Sequence, residues 1–232
     1  MRSETLYRLL DDRAQKRSVV LATNLKSNEQ ILIYPFDNNT KTVNKILIKA
    51  ACEAAHVDKG RTVETPDGEV FLNFFNPPLR MIIVGAVHIS QPLSVMAEVA
   101  GYQVIVVDPR RAFATPERFP GMELRIEWPD EALEELGLDR RTAVVSLTHD
   151  PKLDDSALSV ALHSEAFYIG ALGSKRSHAK RVERLKERGL TDDFIAQIHG
   201  PIGLDIGARS PSEIAVSILA QVTERLRRPG LS

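Results

Sequence analysis

"MIIVGAVHISQPL", residues Met81 to Leu93, decides how the rest of the chain is read. An apolar, strand-like run stops at a glycine, and a segment of helical spacing begins a few residues later. A strand that feeds a dinucleotide-binding turn has this form, and its glycines normally read G-x-G-x-x-G. Here the turn reads Gly85-Ala86-Val87-His88-Ile89-Ser90. The second glycine exists so that backbone can approach a pyrophosphate with no Cβ in between, and Val87 fills that space. Ser90, in the third position, is small enough to keep helix and strand close. The stretch therefore predicts the fold of a nucleotide cradle and poor binding of NAD(P) itself.

Downstream, the rhythm set by this stretch repeats. Apolar runs predict strands over 80–85, 103–108, 123–127, 142–148 and 166–172. Helical spacing lies between and after them, over 89–100, 129–137, 154–164, 174–188, 192–198 and 211–226. Short apolar strands alternating with helices imply an α/β fold, a Rossmann-like parallel sheet with helices on both faces. Ser210, Pro211 and Glu213 form the start signal of the last helix, with the serine hydroxyl and the glutamate carboxylate each meeting the other's backbone N–H. Upstream the pattern differs. Ser3 is placed to cap a helix with Leu6, Leu9 and Leu10 on one face. β-rich runs over 18–24 and 31–36 flank a polar loop, helical spacing covers 43–57, and 68–75 reads as a strand. Asn76-Pro77-Pro78 then punctuates the chain. The expectation is a smaller α+β N-terminal domain, 1–78, followed by the Rossmann-like domain, 79–232.

Composition narrows the function classes. The 232 residues are 43% hydrophobic and 26% charged, with a net charge of -1, so nothing global points to nucleic acid or an anionic membrane. No apolar run approaches the roughly 20 residues of a membrane span. The first residues, "MRSETLYRLLDDRAQKR", have no apolar signal core, and a cytoplasmic protein is expected. The single cysteine, Cys52, excludes an internal disulfide and a cysteine-based zinc site.

Ligands of open parallel sheets bind outside the carboxyl ends of the strands, so each strand end is read for what it offers. After the first strand come Gly85, Ala86, Val87 and His88. Asp108 ends the second, about 20 residues on, where a Rossmann carboxylate holds ribose hydroxyls. Arg110 and Arg111 beside it would instead suit a 2′-phosphate, and Asp108 would otherwise cap the turn. His149 and Asp150 follow the fourth strand, as general acid and base, as metal ligands, or as part of loop hydrogen bonding. Asp154 or Asp155 is expected to cap the next helix, and no metal site is expected. Gly173, Ser174, Lys175 and Arg176 open a helix and offer free N–H groups beside two cations, an anion site or a solvated basic face. The loop 199–209 holds three glycines, Gly203 among them, around Asp205. Such a loop can approach a ligand closely.

Six stretches taken together resemble the xanthine dehydrogenase accessory proteins of the XdhC/CoxI type: "IIVGAVHISQPL", "GYQVIVVDPR", "ERFP", "LTHDPKLDDSAL", "YIGALGSKR" and "HGPIGLDIGARSPSEIAVSILA". They stand in family order over about residues 69–226. The resemblance implies a Rossmann C-terminal domain and a role in maturing molybdenum hydroxylases. It implies binding of molybdenum cofactor (molybdopterin or its dinucleotide form), help with its sulfuration, and delivery to the hydroxylase apoenzyme, by a homodimer acting as a chaperone more than as a catalyst. Two features depart from the family pattern. Val87 replaces the second glycine of Gly-Ala-Gly-His, and residues 1–79 lack the family's Gly-Gly-Cys segment, Cys52 being read as packing. The rival readings are an NAD(P)-dependent oxidoreductase and a nucleotide-free interaction module on the same fold.

Overall fold

The structure, a computed structural model, describes residues 2–37 and 44–228; Val43, at the start of the helical stretch 43–57, and residues 229–232 lie outside these. Internal contacts divide the chain into two units, Met1–Pro77 and Pro78–Ser232.

The first unit is an antiparallel α+β layer. It comprises α1 (Ser3–Ala14), β1 (Val19–Asn24), β2 (Gln30–Ile33), α2 (Lys45–Val57), β3 (Arg61–Thr65) and β4 (Gly68–Phe75), with strand order β2-β1-β4-β3. Pairing sets Val20 beside Ile33 and Ala22 beside Leu72. These residues meet Leu47, Ala50, Ala51 and Ala55 of α2, whose small side chains let the helix lie close on the sheet. Asn44 caps α2 by accepting from the Ile46 N–H. Three expectations are corrected here. Arg2, not Ser3, is the N-cap of α1, and it makes no side-chain cap bond. Leu6 and Leu10 are 42% and 49% exposed, so only Leu9 of that face is buried. Strand β3, mostly polar and exposed, carries no alternating signal and was not expected.

The second unit comprises β5 (Arg80–Val84), α3 (Ser90–Val99), β6 (Gln103–Val107), β7 (Glu123–Arg125), α4 (Pro129–Leu136), β8 (Thr142–Ser146), α5 (Pro151–Leu162), β9 (Tyr168–Ala171), α6 (Lys175–Glu187), α7 (Asp192–Ile195), β10 (Ile198–His199) and α8 (Pro211–Arg227). Its six strands are all parallel, in the order β10-β9-β8-β5-β6-β7. The chain runs outward from β5 through β6 to β7, then returns to start again at β8. That is the doubly wound Rossmann order, and its switch point lies between β5 and β8.

Alternation along the strands divides the core into two layers. Met81, Ile83, Val104, Val106, Ala143 and Val145 face α3 and α8, where Leu93, Ala97, Ala215, Ile218 and Val222 pack on them. Val84, Val144, Ile169 and Ala171 face the other way, against Ala157, Leu158 and Ala161 of α5 and Leu185 of α6. Ile82, Ile105 and Val107 meet Ala132 of α4 on that same side. The capping box of α8 is formed: the Ser210 hydroxyl accepts from the Glu213 N–H, and the Glu213 carboxylate accepts from the Ser210 and Arg209 N–H groups.

Two boundaries differ from expectation. Helix α5 begins at Pro151 instead of 154, because Asp150 is its N-cap and accepts from the Lys152 N–H. Asp154 and Asp155 are therefore buried within the helix and cap nothing. Residue 198, expected to end a helix, belongs to the two-residue strand β10 on the sheet edge. No helix among the described residues is long and apolar enough to cross a membrane.

Candidate functional site

The turn after β5 is built by residues that replace glycine's work with hydrogen bonds. Gly85 has a φ of +106°. A Cβ there would lie 2.6 Å from Thr148 Cγ2 and 3.1 Å from the Thr148 nitrogen, so only glycine lets β5 and the end of β8 pass this closely. The buried Ser90 donates to the Gly85 carbonyl and accepts from the Val87 N–H at 3.3 Å. Ser90 thus ties the turn to the first residue of α3. The N–H groups of His88 and Ile89 have no acceptor among the described residues, and they stand where α3 begins. Val87 is half buried and packs against the α3–α8 layer.

Asp108 follows β6 and reaches back to this turn. Its Oδ2 accepts from the Ala86 N–H at 2.8 Å and from Arg110 Nη2 at 2.7 Å. Its Oδ1 accepts from the Arg110 N–H at 3.0 Å and from Arg110 Nε at 2.8 Å. The residue is wholly buried. Burial alone would raise its pKa, but the hydrogen bonds from Arg110 and from the Ala86 and Arg110 N–H groups outweigh burial and hold the carboxyl below its ordinary value. Asp108 in this conformation fastens the turn to Arg110 and turns no oxygen toward a ribose.

Arg110 is half exposed, and its guanidinium lies 4.5 Å from the Phe113 ring centroid. Arg118 approaches the same ring at 6.0 Å and Phe119 at 5.6 Å, and its Nη1 donates to the Phe113 carbonyl at 2.7 Å. Ala86, Val87, His88, Arg110, Phe113 and Arg118 line a cavity of about 400 Å³. The charge of Asp150, capping α5 after β8, also reaches Arg110 and helps hold its pKa up, after the larger effect of Asp108. Of the predicted residues, Ala86, Val87, His88 and Arg110 line this crevice beside the ends of β5 and β6, Gly85 and Asp108 hold the turn that forms its wall, and Asp150 does not line it.

The remaining predicted residues lie elsewhere. His149 is exposed on the loop after β8 and does not line the cavity. Gly173 precedes Ser174, the N-cap of α6, whose hydroxyl accepts from the Ser177 N–H. Lys175 and Arg176 are exposed there and make no ion pair among the described residues. Gly203 faces α8: its N–H donates to Gln221 Oε1, and a Cβ would collide with the Ser217 hydroxyl. Asp205 is exposed. Among the described residues no group of three or more His, Cys, Asp and Glu could hold a metal ion. The Cys52 thiol donates to the Pro35 carbonyl, and burial raises its pKa, keeping it protonated.

Sequence reasoning missed two sets of residues. Phe113 and Arg118 come from the loop 109–122, where alternating arginine and phenylalanine was a signal for stacked cations. The second set lies at the ends of β8 and β9. Asp154 accepts from the Ser146 and Thr148 hydroxyls, both at 2.6 Å, and meets Arg181 at 3.5 Å. Arg181 also donates to the Leu172 carbonyl. Burial is the largest influence on Asp154 and raises its pKa despite those donors. This network ties the ends of β8 and β9 to α5 and α6, and Thr148 is the residue against which Gly85 packs.

The family model for the XdhC Rossmann domain matches residues 81–222. The chain is 32% identical over 160 residues to a Bacillus subtilis protein named as a probable subunit of xanthine dehydrogenase, covering 68% of this chain and 46% of that one. It is 30% identical over 148 residues to the Escherichia coli molybdenum cofactor insertion chaperone PaoD, covering 64% of this chain and 40% of that one. A crystal structure of a xanthine dehydrogenase from Bacillus halodurans superposes with a TM-score of 0.68 at 26% identity, over 98% of this chain and 65% of that one. The chain thus spans less than half the length of these curated relatives. With the doubly wound sheet, the turn after β5 and a family match over most of its length, the chain belongs to the XdhC Rossmann-domain family.

Proposed function

We propose that this protein is an accessory factor in the maturation of a molybdenum-dependent hydroxylase of the xanthine dehydrogenase type. Its cargo is molybdenum cofactor, which it holds in the β5–β6 crevice and hands to the hydroxylase apoenzyme, acting as a cytoplasmic homodimer. The observation that carries this is the crevice itself. It offers fixed donors for an anion, from Arg110, Arg118 and the unpaired N–H groups of His88 and Ile89. Such a set of donors suits binding and release of an anion. The name of PaoD supports the same reading for a relative that shares this domain.

The cargo's phosphate suits these donors, and the cavity of about 400 Å³ falls in the range of small-molecule sites. What the chain's own residues do is bind, orient and shield. Asp108 holds Arg110 in place, Phe113 carries both guanidiniums on its ring, and Ala86 keeps the turn against β6. The strand order favours one rival, an NAD(P)-dependent oxidoreductase. Against it stand the buried Asp108 and the side chain of Val87 in the cavity wall.

The test is reconstitution. Apo-hydroxylase incubated with cofactor should gain activity faster and to a higher level when this protein is present. Arg110→Ala should remove most of that gain. Equal activation with and without the protein would sink the proposal.

A further inference from the structure

We infer that the mouth of this crevice is a phosphate subsite, with Arg118 as the residue that makes it selective for a phosphomonoester over a neutral ribose. The inference rests on the reading that the crevice is the ligand site. Four observations lead to it.

The position where a Rossmann carboxylate would take a ribose diol has been withdrawn. Asp108 is wholly buried, and all four of its hydrogen bonds go to the turn and to Arg110. Its charge is spent on Arg110 at 2.7 Å, so that pair is close to neutral as seen from the cavity. Arg110 still has Nη1 uncommitted, since its bonds to Asp108 use Nε and Nη2.

Arg118 is different, because no carboxylate among the described residues partners it. Among the described residues its guanidinium makes one hydrogen bond, from Nη1 to the Phe113 carbonyl, and its ring contacts with Phe113 and Phe119 fix it without neutralising it. It is the uncompensated cation among the described lining residues. Both guanidiniums lie within 6.0 Å of one ring, so their free N–H groups share the same small cavity. His88, whose N–H has no acceptor among the described residues, belongs to the wall the turn supplies, and the unpaired Ile89 N–H follows it.

These donors are of two kinds, fixed forks and backbone amides. The two guanidiniums and the backbone amides only donate, and among the described lining side chains His88 alone carries an atom that can accept a hydroxyl hydrogen. A phosphomonoester has three acceptor oxygens and close to two negative charges at neutral pH, which matches both features. A neutral diol needs acceptors as well as donors and gains little here.

An NMR titration of the full chain, following backbone amides, tests this with inorganic phosphate, AMP and adenosine as probes. Phosphate and AMP should shift the amides of residues 86–89 and of residues around Phe113, while adenosine leaves them in place. Arg118→Gln should weaken AMP at least about tenfold, the usual loss for one charge-assisted contact, and Arg118→Lys should recover part of it. Adenosine binding as tightly as AMP, in the same place, would overturn the phosphate subsite but leave the crevice a ligand site. AMP shifts centred on residues 174–176 and indifferent to Arg118→Gln would move the anion to the start of α6 and remove the crevice reading too. No shift with any phosphate probe at millimolar concentration would also overturn the subsite.

Discussion

At the scale of single residues, the turn after β5 shows how a degraded glycine motif keeps its fold. Gly85 is retained because β5 and Thr148 leave no room for a Cβ. Gly85→Ala should destabilise by about 1–3 kcal/mol, the range for a strained backbone, with the clash added. Thr148→Ser removes the clashing Cγ2 and keeps the hydroxyl on Asp154. In the double variant the loss should shrink, and a denaturant double-mutant cycle reads that coupling. Additive losses would show that strain at Gly85, not its contact with Thr148, sets the cost. Val87 carries the opposite expectation. Its side chain lines the cavity where pyrophosphate would approach, so the wild type should bind NAD(H) and NADP(H) no better than about millimolar, and Val87→Gly should bind them more tightly. Calorimetric titration of both proteins checks this; micromolar binding by the wild type would contradict the steric argument. The place of Asp108 just after β6, beside the turn, was legible from its spacing. Its burial was not, because an arginine two residues on reads equally well as a ligand's partner or as the carboxylate's own.

At the scale of elements, local chemistry was legible wherever it is self-contained. The capping box of α8 needs only Ser210, Pro211 and Glu213, and it forms as the sequence implies. Ser210→Ala should cost about 0.5–2 kcal/mol, seen as a lower denaturation midpoint with unchanged slope. Helix α5 was misplaced because Asp150, Asp154 and Asp155 are equally good caps in sequence. Only the depth of the Ser146 and Thr148 hydroxyls draws Asp154 inward. The strand β10 was invisible for a related reason: two residues carry no periodicity, and β10 exists only because β9 offers an edge. His199 of β10 stacks on Tyr168 with centroids 4.8 Å apart. Burial, aided by the charge of Arg225, lowers its pKa from 6.5, and burial aided by Arg181 lowers that of His178. The unfolded chain therefore takes up protons before the folded one does. The stability from these two neutral imidazoles is fully present above about pH 6.5 and is lost as pH falls below it toward the folded values. The double variant His178→Asn, His199→Phe should flatten the pH dependence of unfolding between about pH 6.5 and 5. A slope equal to the wild type's would assign it to other groups.

At the scale of the whole molecule, strand order and two-sided burial follow from the alternation of short apolar runs with helices, and this was readable from residue 80 onward. The contents of the crevice were not. They depend on the 109–122 loop, which has no period and folds onto the turn through stacked arginine and phenylalanine. The apolar layers on both sides of the parallel sheet are closed by helices of its own unit. A piece comprising 79–232 should therefore fold alone and melt cooperatively, and a broad, non-cooperative transition would show that it needs the first unit. The central claim is that the crevice carries molybdenum cofactor to a client hydroxylase. The most direct test is to purify the full chain from a molybdenum-replete host, release whatever is bound, and identify it by mass spectrometry and pterin fluorescence. A pterin bearing phosphate is expected from the wild type, and much less of it from Arg118→Gln. A nicotinamide dinucleotide in its place, or the repeated absence of any pterin, would contradict the claim.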